Sequence, residues 1–173
     1  MRITGGTHRS RTLPARVSPG VRPTGSRVRE ALFNIVGNDL DGTSVLDATG
    51  GSGILALEAA SRGASSVLVN DKERKVVAIL KATIRSMGLE DRVLARYGNS
   101  LQPGKDAQTF DLVLADPPYT HELEPWVDAL LPRTRWLLVL EHDAKKDPPE
   151  PPADVDLNTR RYGGTALSFY RRR

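Results

Sequence analysis

The sequence predicts an α/β fold organised around a parallel sheet, and three observations carry that reading. Between about residue 27 and residue 141, short runs rich in Val and Leu alternate with stretches of helical periodicity. A glycine-rich segment, Asp47-Ala48-Thr49-Gly50-Gly51-Ser52-Gly53, stands where one β-type run gives way to a helical one. A second β-type run, Asp111 to Ala115, ends in Asp116-Pro117-Pro118-Tyr119, whose prolines stop either regular structure from continuing.

The elements follow in chain order. Residues 1–29 contain seven arginines (Arg2, Arg9, Arg11, Arg16, Arg22, Arg27 and Arg29) and no acid, so the cationic charge of a chain with net charge +4 is concentrated at one end and the remainder is slightly acidic. Arginine without lysine favours forked contacts with phosphate oxygens and stacking on bases, which suits RNA. Ile3, Leu13 and Val17 among the arginines, with a turn at Gly5-Gly6, predict an arm of short strands. Arg27 to Val36 reads as a helix with Val28, Leu32, Ile35 and Val36 on one stripe, Ser26 as its N-cap and Gly37 as its stop. Strands are then expected at Ser44–Asp47, Ser66–Asn70, Arg92–Tyr97, Asp111–Ala115 and Trp136–Glu141, with helices at Gly53–Arg62, Lys72–Met87 and Glu122–Leu131. The connection over 98–110, broken by Gly98, Pro103 and Gly104, predicts a crossover reduced to a loop. A proline- and acid-rich connector over 147–153 precedes two closing strands at about 155–161 and 165–171.

Composition removes several classes of function. A chain of 173 residues with 39% hydrophobic content suits a single compact unit. It divides by charge into a basic extension over 1–37 and a catalytic body over 38–173. With no cysteine and three scattered histidines, neither disulfides nor a metal site are expected. The absence of a signal-like segment or an apolar run of membrane-spanning length predicts a cytoplasmic protein, and a monomer is expected.

Two motifs carry the chemistry. Glycines at a strand-to-helix turn let backbone approach a ligand closely. Gly51, Gly53 and Ala56 also fit the dinucleotide pattern, but a carboxylate before the glycines repels a pyrophosphate while accepting hydrogen bonds from the ammonium of S-adenosylmethionine; Asp47 therefore points to that cofactor. Asp71, at the end of the second strand, is placed to accept ribose hydroxyls, and Asn99, at the end of the third, to read the edge of adenine. In the second motif, an aromatic exocyclic amine is the fitting substrate. Its lone pair is delocalised, so catalysis must come from positioning: Asp116 and the Pro117 carbonyl accept the two amine hydrogens, and Tyr119 stacks on the base. Arg2, Arg9, Arg11, Arg22, Arg27 and Arg29 are the candidate RNA contacts, with Glu141, His142 and Arg160-Arg161 at a possible border of the substrate channel.

These motifs resemble the RsmD-type bacterial family of 16S ribosomal RNA guanine-N2 methyltransferases over nearly the whole chain. The resemblance rests on Arg2-Ile3 with Gly5-Gly6, Arg22-Pro23-Thr24, Arg27-Val28-Arg29-Glu30-Ala31-Leu32-Phe33 and the glycine segment. Leu57-Glu58-Ala59, Ser61-Arg62-Gly63-Ala64, Asp116-Pro117-Pro118-Tyr119 and Tyr162-Gly163-Gly164-Thr165-Ala166-Leu167 complete it. It implies a Rossmann-like, seven-stranded class I fold with a small N-terminal hairpin and helix extension for RNA recognition. It implies S-adenosylmethionine as donor, S-adenosylhomocysteine as product, and a guanosine near the ribosomal P site, methylated in a partly assembled 30S subunit. Ser26, Thr49-Gly50, Ala56, Thr83 and Asn99 depart from the family pattern as residues where aspartate, an aromatic-alanine pair, glycine, asparagine and aspartate are usual. Thr49-Gly50 is expected to loosen the loop, and with Asn99 to weaken or alter cofactor affinity. A DNA adenine-N6 methyltransferase and a non-catalytic RNA-binding assembly factor are the alternative readings; a nicotinamide dehydrogenase lacks an evident proton relay.

Overall fold

Strands buried on both faces read as continuous runs of branched aliphatics, and Val45-Leu46, Val67-Leu68-Val69 and Leu112-Val113-Leu114 are such runs. In the computed structural model, which describes residues 1–14, 25–104 and 107–173, they form the centre of a seven-stranded sheet. The elements are α1 (Ser26–Val36), β1 (Ser44–Asp47), α2 (Ile54–Ser61), β2 (Ser66–Asp71), α3 (Arg74–Met87), β3 (Val93–Tyr97), β4 (Phe110–Ala115), α4 (Glu124–Leu130), β5 (Thr134–Asp143), β6 (Val155–Tyr162) and β7 (Thr165–Arg172). Strand order is β3-β2-β1-β4-β5-β7-β6. The first five strands are mutually parallel, while β7 lies antiparallel between β5 and β6. This is the Rossmann-like architecture that the motifs imply. The helix α1 packs with α2 and α3 on one face, over Val45, Val67, Leu112 and Leu137, and α4 covers Leu46, Val113 and Leu138 on the other.

The boundaries differ from the sequence expectations where local hydrogen bonds intervene. Ser26 is the first residue of α1, with Gly25 in the cap position and no side-chain cap. The helix α3 starts at Arg74 rather than Lys72, because Asp71 Oδ1 accepts the Glu73 N–H at 2.8 Å and holds residues 71–73 in a turn. The strand β5 extends two residues beyond each expected end and pairs with β7 through to Asp143. No described residue of 98–109 is helical, in keeping with the loop expected between β3 and β4. Val17, Arg16, Arg22 and the Arg22-Pro23-Thr24 motif lie outside the described residues.

Among its described residues the arm contains no regular strand. It is a hairpin-like turn closed by one antiparallel bridge between Arg2 and Thr12, with the Ile3 N–H donating to Arg11 O at 3.0 Å and the Leu13 N–H to Met1 O at 2.9 Å. Ile3 and Leu13 are buried in the same cluster as Leu32, Phe33, Leu57 and Ala60, so extension and body share one core on this face.

This docking explains an oddity of α2, Ile-Leu-Ala-Leu-Glu-Ala-Ala-Ser, whose eight residues are all buried. An all-round apolar helix needs cover on every side, and the arm supplies one side. The carboxylate of Glu58, fully buried, is the fastening point. Its Oε1 accepts the Thr4 N–H at 2.7 Å, the Thr4 hydroxyl at 2.9 Å and Arg29 Nε at 2.9 Å, while Oε2 pairs with Arg62 one turn later. The Arg62 guanidinium stacks on Phe33 at 4.4 Å and donates to Thr4 Oγ1 at 3.1 Å. The Thr7 N–H donates to the Ser61 carbonyl at 2.7 Å, and a Cβ on Gly6 would sit 1.8 Å from that oxygen, so only glycine permits this approach. Breaking one partner of a buried ion-pair cluster typically costs about 3–5 kcal/mol. Glu58→Gln is therefore expected to lower the urea-derived unfolding free energy by about 3 kcal/mol and to make the arm protease-sensitive; a loss within error of zero contradicts this role.

Candidate active site

In a sheet whose strand order reverses, the loops after neighbouring strands diverge and leave a crevice at their carboxyl ends. Here the reversal falls between β1, which continues to β2 and β3, and β4, which continues to β5. Four of the sequence-predicted residues stand in a row at these carboxyl ends. Asn99 follows β3, Asp71 ends β2, Asp47 ends β1 and Asp116 follows β4.

Asp47 is 1% exposed. Its Oδ1 accepts the N–H groups of Thr49 at 3.2 Å and Gly50 at 3.1 Å, so it caps the loop that follows it. Its Oδ2 is buried and makes no hydrogen bond among the described residues. Burial pushes the Asp47 carboxyl up to about 7; the Thr49 and Gly50 amides oppose this, the nearby Asp116 charge adds to it, and the Ala56 amide opposes it weakly. A buried carboxylate with one unused oxygen beside a second carboxylate is a site for a cation, and a ligand ammonium fits it.

The loop is built from left-handed turns. Gly50, Gly51 and Gly53 have φ of 53°, 58° and 74°. A Cβ on Gly50 would lie 2.7 Å from the Asn70 carbonyl oxygen and 2.9 Å from the Asp71 side chain, so the alanine usual in the related pattern does not fit this loop. The close approach lets the Gly51 N–H donate to Asp71 Oδ2 at 3.0 Å. Asp71 thus accepts one backbone N–H on each oxygen, from Gly51 and Glu73, and each oxygen keeps a lone-pair direction for a hydroxyl. Asn99 is exposed; its Oδ1 accepts the Leu101 N–H at 3.0 Å and closes a turn, which is the backbone role asparagine often takes.

The Asp116-Pro117-Pro118-Tyr119 segment leaves β4 beside this loop. The Asp116 N–H donates to Thr49 Oγ1 at 2.9 Å, and that hydroxyl also reaches Asp47 Oδ1 at 3.4 Å. Thr49 therefore ties the two loops together, where the sequence suggested a loosened loop. The Pro118 carbonyl accepts the His121 N–H at 2.9 Å, whereas among the described residues no hydrogen bond reaches the Pro117 carbonyl. Tyr119 is half-buried, with its hydroxyl 2.6 Å from Thr165 Oγ1 and 3.3 Å from Glu141 Oε1. Burial raises the Tyr119 phenol above its ordinary range, and Thr165 partly opposes this. The bridging roles of Thr49 and Thr165 were not legible in the sequence, although both residues stand in motifs named above, because a hydroxyl that acts by bridging loops has no pattern of its own.

Other expected site residues are redistributed. Arg29 is 2% exposed and engaged with Glu58 and the Arg2 carbonyl, which corrects its reading as an RNA contact: its guanidinium neutralises a buried carboxylate. The Arg11 guanidinium donates to the Ser86 and Met87 carbonyls at the end of α3. Arg2, Arg9 and Arg27 are exposed, and Arg2 and Arg9 line a cleft of about 560 Å³ with Ser10, Ser26 and Glu30. Arg22 lies outside the described residues. His142 does not border a channel: it is 1% exposed, bonded to the Asp143 carbonyl and Ser168 Oγ, and burial lowers its pKa. Among the described residues no helix is long and apolar enough to cross a membrane, and no cluster of three His, Asp or Glu residues is placed to hold a metal ion.

Folding gives Asp47 a higher pKa than the usual 3.8, so the folded state holds this proton more tightly. The stability it contributes is complete below about pH 4 and is lost as the pH rises through about 7. The unfolding free energy of Asp47→Asn relative to wild type is expected to climb between those limits and then level off in urea titrations at successive pH values. A pH-independent difference contradicts the buried, proton-holding state.

Comparison with known proteins agrees with the geometry. The family described as Conserved hypothetical protein 95 matches residues 1–171. The chain is similar to Ribosomal RNA small subunit methyltransferase D of Escherichia coli, 31% identical with 99% of this chain and 90% of the relative covered. It is also similar to the protein of that name from Haemophilus influenzae, 32% identical over 86% of this chain and 81% of the relative. An Escherichia coli structure described as a candidate methyltransferase, yhhF, superposes with a TM-score of 0.83 at 31% identity, covering 99% of this chain and 97% of the other. The chain therefore belongs to the Conserved hypothetical protein 95 family, that of the RsmD-type methyltransferases.

Proposed function

We propose that this protein transfers a methyl group from S-adenosylmethionine to the exocyclic N2 amine of a guanosine in 16S ribosomal RNA, near the P site and during small-subunit assembly. The observation that carries the reading is the juxtaposition at the sheet reversal: Asp47, with its unused buried oxygen, beside the Asp-Pro-Pro-Tyr loop. The name shared by the Escherichia coli and Haemophilus influenzae relatives supports RNA of the small subunit as the target.

The residues divide the work. Asp47 Oδ2 pairs with the donor's ammonium, and Asp71 accepts ribose hydroxyls on its remaining lone pairs. Gly51 and Gly53 keep side chains out of the way, and Asn99 offers an amide to the adenine edge. The bound donor supplies an electrophilic methyl on a sulfonium. Asp116 and the Pro117 carbonyl accept the two amine hydrogens of the target base, which aims the nitrogen lone pair and stabilises the charge that develops on it. A nucleophilic side chain is unnecessary, and the product amine loses its proton to Asp116 or water. Tyr119 stacks on the extruded base and offsets part of an unstacking cost on the order of a few kcal/mol. Arg2, Arg9 and Arg27 contact RNA phosphates, and residues 1–37 act as the recognition extension of the catalytic body.

The deciding experiment is methyl transfer from labelled donor to small subunits from cells lacking this protein, with the nucleoside identified by mass spectrometry. N2-methylguanosine is expected; label on duplex DNA but not on subunits would overturn the assignment in favour of an adenine amine. Asp116→Ala should lower kcat by about 100-fold or more while leaving donor Kd within about threefold, and retention of full activity contradicts its role. Tyr119→Ala should lose rate more than donor affinity.

A further inference from the structure

We propose that Thr49 is a positioning residue that locks the substrate-amine loop to the cofactor loop, so that donor and acceptor halves of the site are held in one register. The inference rests on the methyltransferase reading above and adds a residue which that reading leaves without a task.

The argument begins with donors. In Asp116-Pro117-Pro118 only Asp116 has a backbone N–H, since proline has none. One hydrogen bond therefore anchors the backbone of all three residues from their own donors, and it goes to Thr49 Oγ1 at 2.9 Å. Pro117 fixes its own φ and confines Asp116 before it to extended backbone, so few torsions are free between the Asp116 amide and the Pro117 carbonyl. That carbonyl and the Asp116 carboxylate are the two groups assigned to the substrate amine.

The other end of the bridge lies in the cofactor loop. The Thr49 N–H donates to Asp47 Oδ1 at 3.2 Å, and its hydroxyl lies 3.4 Å from the same oxygen. Thr49 is thus held by the carboxylate assigned to the donor's ammonium while it holds the amide of the one assigned to the acceptor. Its β-branched side chain has restricted rotamers, which suits a fixed bridge. An aromatic residue at position 49 carries no hydroxyl on its β-carbon to meet this amide. The Thr49-Gly50 pair is therefore a matched substitution: Gly50 lets the loop approach Asp71, and Thr49 secures the opposite side to Asp116. Placement errors on the order of 1 Å cost about 100-fold in rate, so a bond that fixes the acceptor loop should appear in kcat.

Thr49→Val keeps the shape and removes the hydroxyl; Thr49→Ser restores the hydroxyl. In the full-length protein, the Val variant is expected to have kcat about 10-fold lower, donor Kd by calorimetry within about threefold, and faster hydrogen exchange at the Asp116 amide. The Ser variant is expected to return both kcat and exchange to near wild type. Exchange is read on the protein alone: if it is the same in Thr49→Val as in wild type, the assignment is overturned, whatever the substrate. Lost donor affinity with unchanged kcat also overturns it, by placing Thr49 with the cofactor only. A wild-type protein that methylates no guanosine while the exchange pattern holds overturns the substrate reading and leaves the bridge supported.

Discussion

The carboxylate of Glu58 is the constraint on which the rest of the structure depends. It stands in the middle of a helix whose eight residues are all buried. An unpaired charge there would cost several kcal/mol at least. Two arginines neutralise it, Arg29 from α1 and Arg62 just past the end of α2, and Thr4 of the arm donates to it as well. Each partner is fixed in turn: Arg62 by the Phe33 ring, Arg29 by the Arg2 carbonyl, and the arm by Ser61. The basic extension is thereby welded onto the helix that begins at the glycine loop. Arginines that suggest nucleic acid by composition divide into a buried structural member, Arg29, which also holds the Arg2 carbonyl, and an exposed set that includes Arg2 and Arg9.

At the other end of α2, the glycine loop is strung sideways across the sheet. The Gly51 amide reaches Asp71 on β2, and the Thr49 hydroxyl holds Asp116 after β4. Asp47 lies beneath them with both its burial and its neighbour Asp116 opposing ionisation. The arrangement is electrostatically incomplete without a cation, because an ionised Asp47 has an oxygen with neither solvent nor hydrogen bond among the described residues. A ligand that brings an ammonium supplies the missing partner, and the same requirement disfavours a pyrophosphate.

How much was legible in the sequence follows from the range of the interactions. The β1 boundary and the break after Ala115 were legible because continuous aliphatic runs, glycines and prolines act within a few residues. The row of Asp47, Asp71, Asn99 and Asp116 was also legible, since each ends or follows a parallel strand and such ends share one edge of a sheet. The fate of Arg29 was not legible. It depends on Glu58, 29 positions away, and nothing in an arginine-rich stretch marks which member turns inward. The lack of regular strand among the arm's described residues had a similar cause: their hydrogen bonds go to Ser61 and Glu58 in the body as well as across the turn. Thr49 was read through what glycine and threonine lack relative to an aromatic-alanine pair, whereas its effect comes from a hydroxyl meeting an amide 67 residues away.

The antiparallel β6–β7 hairpin shows why a parallel sheet needs this addition at its end. The two prolines before Tyr119 set where its ring leaves the chain, and its hydroxyl fixes the far end of the ring. That hydroxyl meets Glu141 on β5 and Thr165 on β7, which are brought together because Glu141 pairs with Leu167 and Asp143 with Thr165 in antiparallel register. A raised phenol pKa keeps the proton on Tyr119, leaving it able to donate to Glu141 while Thr165 donates to it. The hairpin is itself fastened by the chain His142–Ser168–Thr159, in which burial favours the neutral imidazole. A ring fixed in this way has surrendered its rotational freedom during folding rather than during binding, so a base stacked on it as proposed would meet a surface whose ordering entropy has already been spent.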